Sequence, residues 1–250
     1  MRGLTCIGCG AVALMLTGCV SVVPLAPPPG ASPKAAARVA DRLPTDGEKW
    51  ATSLPNSYFG AIGASGSVGV GLLFGPLGVL ANAAYVDAKN KENSVALADL
   101  TAVNLGEILK SVVGAPSPGE AEGYVLVPAG IITFKGDESY RISCVITATY
   151  AQSPNWRARY LVQPEGFYDI KDPTAKAKVV ESLTSCLDGA YKLFTAHVTG
   201  AEGTYTTRTV RHPTFALRLP VQDAALPHRV IGNDGIGLME FRKSDVVGVE

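Results

Sequence analysis

The sequence predicts an α+β fold: an antiparallel sheet packed by one long helix, preceded by a glycine-rich apolar segment and a shorter helix. Three observations carry that prediction. Tyr140, Ile142, Cys144, Ile146 and Ala148 alternate with Arg141, Ser143, Thr147 and Thr149, the period of a strand with one buried and one solvated face. Val179, Leu183, Cys186, Ala190, Leu193 or Phe194, and His197 recur at helical spacing. Strand patterns then resume beyond residue 200, so strands, a long helix and strands again follow one another.

Composition bounds the function. The chain has 250 residues, 47% of them apolar, and its 22 basic and 22 acidic side chains cancel. That apolar content supplies a core, and the even charge argues against a nucleic-acid partner, which calls for a basic excess.

The first element is a leader. Arg2 precedes an apolar run from Leu4 to Leu16, too short for a spanning helix of about 20 residues and suited to a secretory signal peptide. An uncleaved signal anchor or an ordinary secretory peptide is the competing reading. The run ends in Leu16-Thr17-Gly18-Cys19, which resembles the lipobox of bacterial lipoproteins. The resemblance implies cleavage after Gly18, lipidation of Cys19 and acylation of the new amino terminus. In lipoproteins of enteric-type bacteria an aspartate after that cysteine retains the protein at the inner membrane. Val20 stands there instead, which implies an outer-membrane anchor facing the periplasm. Cys6 and Cys9 lie inside the apolar run and leave with it.

Prolines 24, 27, 28, 29 and 33 follow. Such chain extends about 3.1 Å per residue, enough to hold a domain some 40 Å off a membrane. We read it as a tether rather than a P-x-x-P ligand. The divisions expected are 1–18 signal peptide, 19–49 lipidated cysteine and tether, 50–115 glycine-rich segment plus helix, and 116–250 the α+β domain.

Trp50 to Val86 contains no charged residue or histidine, and residues 60–78 hold seven glycines. Three readings stand: a small-residue segment packed in the domain, a membrane-inserting or oligomerising element through the Gly71/Gly75 pair, or a surface for a partner. Gly69-Val70-Gly71 lacks the third glycine spacing and the context of a dinucleotide site, so no nucleotide is expected.

A helix is predicted from Asn93 or Ser94 to about Val113, stopped by Gly114 and Pro116, with Leu97, Thr101, Leu105, Ile108 and Val112 on one face. Strands are predicted at 131–134 and 140–150 around a turn at 135–138, then at 156–162 after a turn at Ser153-Pro154-Asn155. Asp172-Pro173 opens the long helix, which runs to about Val198. Later strands fall at 204–211, 214–219, 228–231 and 236–241, with Asn233-Asp234-Gly235 as a turn.

Two mature cysteines remain besides Cys19. Alternation puts Cys144 on a buried strand face, and helical spacing puts Cys186 on the stripe that must cover a sheet. A Cys144–Cys186 disulfide is therefore expected in an oxidising compartment, with two buried thiols as the alternative. The histidines 197, 212 and 228 make no metal spacing, and Gly63-Ala64-Ser65-Gly66-Ser67 fails as a nucleophile elbow. No cofactor, metal or catalytic residue is expected. His197, near the helix C-terminus, is expected in a structural role, with a favourable dipole interaction if it is protonated. Arg141, Arg157 and Arg159, with Arg208, Arg211 and Arg218 as possible neighbours, offer a cationic stripe for an anionic partner; an ordinary solvated surface is the preferred reading. The function expected is a non-enzymatic, lipid-anchored envelope module that contacts another envelope protein. The alternative is a membrane-inserting or oligomerising component acting through residues 60–78.

Overall fold

A computed structural model describes residues 23–30, 36–40, 58–62, 103–114, 122–135, 139–169, 171–172, 174–201, 203, 206–212, 215–224, 228–233 and 235–243. In chain order the elements are β1 (Ala36–Val39), β2 (Tyr58–Ile62), α1 (Leu105–Val113), β3 (Glu122–Lys135), β4 (Ser139–Tyr150), β5 (Ser153–Val162) and β6 (Tyr168–Asp169). Then come α2 (Ala175–Thr199), β7 (Thr206–His212), β8 (Phe215–Asp223), β9 (Arg229–Asn233) and β10 (Gly237–Arg242). The fold is α+β: one sheet in the order β1-β3-β4-β5-β10-β9-β8-β7, with β2 also on β3 and β6 also on β4. Helix α2 packs on β4 and β5, and α1 on α2, β1 and β3.

The sheet is mixed rather than antiparallel throughout. β3, β4 and β5 form the expected meander, but β1 and β2 run parallel to β3, and β10 runs parallel to β5. After α2 the chain lays β7 at the far edge and returns inward through β8 and β9, each antiparallel to the last. Through this alternation β10 runs opposite to β7, and it enters beside β5 in the parallel sense.

Strand β3 begins nine residues before the expected Ile131, at Glu122. Pro128 lies within it, opposite Ile146. Proline donates nothing to a ladder and belongs where no partner needs its N–H. It falls in such a gap: β1 pairs with β3 as far as Leu126, and β2 starts at Ala129. The next turn is also displaced. Tyr150 pairs with Ser153, so the chain reverses at Ala151-Gln152, not at residues 153–155.

The buried face of β4 matches its alternation, with Cys144, Ile146 and Ala148 fully enclosed beneath α2. The opposite face is not wholly solvated, because Ile131, Ser143 and Val145 are buried on it. Ile131 stands opposite Ser143. The consecutive apolar pairs Ile131-Ile132 and Val145-Ile146 fit strands buried on both sides.

Helix α2 starts two residues after the expected Pro173. Asp172 Oδ1 accepts from the Thr174 N–H at 2.8 Å and the Thr174 hydroxyl at 2.6 Å, folding the chain back just before the first turn. Those bonds, with a third from Lys178, hold the Asp172 carboxyl below its usual range. Gly200 closes the helix at φ 68°, where the Ala201 N–H reaches the Ala196 carbonyl at 2.9 Å. Helix α1 begins at Leu105 rather than at Asn93 or Ser94: Asn104 is extended and its Oδ1 caps the Glu107 N–H at 3.0 Å, so the expected continuous helix is interrupted there. The expected first turns, at 93–102, lie outside the described residues. Leu105 and Leu109 are its fully buried side chains, and Ile108 and Val112 flank them half-buried.

Candidate functional site

Among the described residues, two of the buried polar side chains, His197 and Asn233, meet where the end of α2 approaches β5 and the turn after β9. Alternation along β5 turns Trp156 and Tyr160 to the helix side, and the last turn of α2 sets His197 above them. His197 is 1% exposed and Asn233, the last residue of β9, is 0% exposed. Asn233 Oδ1 accepts the Gly235 N–H at 3.0 Å, which fixes the turn.

Residues 24–28 cross this surface. The Leu25 N–H donates to Asn233 Oδ1 at 2.9 Å, and the Leu25 carbonyl accepts from Asn233 Nδ2 at 3.4 Å and His197 Nε2 at 3.1 Å. The Trp156 indole N–H donates to the Ala26 carbonyl at 3.0 Å. Leu25 packs half-buried against the core and Pro28 is buried, whereas Pro24, Ala26 and Pro27 face solvent. The expected tether is thus docked on the domain over part of its length.

These contacts assign the histidine tautomer. A carbonyl only accepts, so Nε2 carries the proton toward Leu25, and Nδ1 accepts from the Tyr160 hydroxyl at 2.7 Å. Burial pushes the His197 pKa down, opposed in part by the Leu25 carbonyl. The side chain is therefore a neutral bridge, a structural role that does not draw on the helix dipole. Trp156 stacks beside it with ring centroids 6.4 Å apart. Tyr124 meets Phe194 edge-on beneath, at 5.1 Å. The Tyr124 hydroxyl has no hydrogen-bond partner among the described residues; burial, then Tyr150, raise its pKa to about 12.

The arrangement presents three N–H donors and an amide oxygen to an extended backbone.

Cys144 and Cys186 come together at disulfide distance, with Cα atoms 5.8 Å apart beneath α2. Cys19 and the turn at 136–138 lie outside the described residues, as does the glycine-rich segment beyond Ile62. Gly60 is part of β2. The arginines do not make one stripe. Arg157 is exposed and Arg159 half-exposed on β5, and the Arg141 guanidinium sits 4.9 Å over the Phe167 ring. Arg218 is on β8 and Arg208 and Arg211 on β7, three and four strands from β5. At about 4.8 Å per strand that separation breaks the stripe.

His228 pairs with Glu165 at the surface at 2.7 Å. Arg229, 4% exposed, pairs with Glu240 and donates to the Gln163 carbonyl at 2.8 Å, tying β9 and β10 to the end of β5. Nothing in the local sequence singled out Arg229. Among the described residues no three His, Cys, Asp or Glu side chains converge as metal ligands, and no helix is long and apolar enough to cross a membrane. Comparison of the chain with known protein families, curated proteins and solved structures finds no match.

Proposed function

We propose that the chain is a lipid-anchored protein of the bacterial cell envelope, held through Cys19 at the outer membrane and facing the periplasm. There it acts as a non-enzymatic interaction or assembly module for another envelope protein. The observation that carries the reading is Leu16-Thr17-Gly18-Cys19 behind a short apolar run. Each buried CH₂ of an acyl chain contributes about 0.8 kcal/mol, so one chain binds marginally and several anchor stably. Two further features support it. Cys144 and Cys186, 5.8 Å apart at Cα, are placed to bond in an oxidising compartment. The interior polar groups near His197 engage the backbone of residues just past the anchor.

Metabolic labelling with a radioactive fatty acid tests the anchor. Label enters the wild type and not the Cys19→Ala variant; equal labelling of both ends the proposal. Extraction of the Cys19→Ala protein separates the two roles. Release as a soluble monomer supports the interaction module, and retention in the membrane or large oligomers would move the function to residues 60–78.

A further inference from the structure

The docked segment has the features of a ligand. Its Leu25 N–H and C=O and its Ala26 C=O are all read by side chains from distant parts of the chain: Asn233, His197 and Trp156. With the segment in place the three donors sit on residues no more than 9% exposed, and each N–H is paired with its backbone. Buried donors are paired in nearly all native proteins, and an unpaired one is costly. This surface is therefore fitted to an extended peptide backbone. Aromatic-lined sites that read proline-rich chain work in the same way, because an extended proline segment keeps its carbonyls free and loses little entropy on docking.

We propose that Trp156, His197 and Asn233 form a receptor for an extended Leu-x-x-Pro segment, and that residues 24–28 of the same chain occupy it as an intramolecular strap. The pattern follows from the contacts. The first position cannot be proline, since its N–H is bound by Asn233, and it carries an apolar side chain into the core edge. The next two positions face solvent and accept any residue that stays extended, and the fourth is the buried Pro28. The proposal is independent of lipidation.

The test uses the full chain in detergent, with Trp50→Phe so that the indole N–H signal in ¹⁵N NMR belongs to Trp156. A triple variant, Pro24→Ser, Leu25→Ser and Pro28→Ser, empties the site. The probe is the capped peptide Val-Pro-Leu-Ala-Pro-Pro-Pro-Gly. In the triple variant the indole signal shifts, and the peptide returns it saturably. The wild type responds only above about millimolar peptide, because a short linker holds its own segment at that effective concentration. A peptide with proline in place of leucine does not bind, and adding Trp156→Phe weakens peptide binding about fivefold, read by heat of binding. An unshifted indole, failure of the peptide to restore it, or equal binding of the proline-substituted peptide overturns the proposal. So does wild-type protein that is dimeric by sedimentation and is split by the peptide, since the segment would then be exchanged between copies. Should the triple variant not fold, Leu25→Ala replaces it. Peptide then saturates at least about fivefold lower than in the wild type, and an unchanged midpoint overturns the strap.

Discussion

Cys144 in the middle of β4 and Cys186 in the middle of α2 hold their Cα atoms 5.8 Å apart, 42 residues distant in sequence and both buried. That separation lies inside the range a disulfide spans, about 4.4–6.8 Å. If the chain is exported as proposed, we expect the bond to form. Closing a loop of this length stabilises by about 4 kcal/mol in the chain-entropy model. Urea midpoints with and without reductant measure the loss, and the Cys144→Ala, Cys186→Ala double variant becomes insensitive to reductant. Full alkylation of both thiols in unreduced, denatured protein would exclude the bond.

The same substitution at two glycines should act with opposite sign. Gly237 begins β10 directly against Arg159 of β5, and a Cβ there would collide with the Arg159 backbone carbonyl. Backbone cannot step aside cheaply, so Gly237→Ala is expected to destabilise by about 2 kcal/mol or more. Gly189 lies within α2, and its Cβ would sit 3.4 Å from Val162 Cγ2, an ordinary contact. Alanine is favoured over glycine inside a helix by about 1 kcal/mol, so Gly189→Ala should stabilise or leave stability unchanged. Denaturant unfolding of the two variants checks both; equal costs would refute the close β5–β10 approach.

His197 should make stability depend on pH. Its folded pKa lies below the ordinary histidine value, mainly through burial. As pH falls below about 6.5 the unfolded chain takes up a proton that the folded chain refuses. The contribution is therefore complete above that pH and declines on acidification, by at most about 1.4 kcal/mol per pH unit until the folded pKa is reached. His197→Gln, which cannot titrate, should lower stability at pH 7.5 and flatten the change between pH 7 and 5. An identical pH slope in wild type and variant would show that the histidine is not the group responsible.

Tyr124 carries the opposite lesson. Its hydroxyl is buried without a partner among the described residues, so it contributes a desolvation cost and no bond. Tyr124→Phe keeps the ring contacts with Tyr150, Trp156 and Phe194. We expect unchanged or raised stability, by up to about 1–3 kcal/mol. A loss above about 1 kcal/mol in thermal or urea unfolding would reveal a hydrogen bond to that oxygen.

Local periodicity explains what the sequence made legible. Val179, Leu183, Cys186, Ala190, Phe194 and His197 share a helical stripe and are all buried. Tyr140 to Ala148 alternate and bury the expected side. Gly200 ends α2 by a left-handed backbone that glycine tolerates best. Features that depend on remote partners left no such mark. Pro128 and the flanking Gly123 and Gly130 break the look of a strand, although a gap between β1 and β2 accommodates the proline. The parallel pairing of β5 with β10 rests on the path of the intervening strands, which no window of sequence contains. For the site, helical spacing marks His197 as inward-facing and Asn233 reads as a turn residue. Their convergence on Leu25 was hidden, because a proline-rich segment has the same composition whether it spans free solvent or lies on a surface.

That docking alters the geometry expected of the anchor. Free proline-rich chain from Cys19 would let the domain stand some 40 Å away, but Leu25 is fixed on the domain only six residues after the cysteine. At about 3.1 Å per residue, six residues reach about 19 Å. If Cys19 is acylated as proposed, the end of α2 bearing His197 stays near the bilayer. Thr199 and Lys178 are both exposed on that helix, and their 21-residue separation spans about 32 Å at 1.5 Å per residue. Fluorophores placed singly at these positions in vesicle-bound protein report the arrangement through a quencher on the lipid head groups. The Thr199 label should be quenched more strongly, and releasing the strap with Pro24→Ser, Leu25→Ser and Pro28→Ser should erase the difference. Equal quenching in the strapped protein would mean that the docked segment does not hold this end of the domain at the membrane.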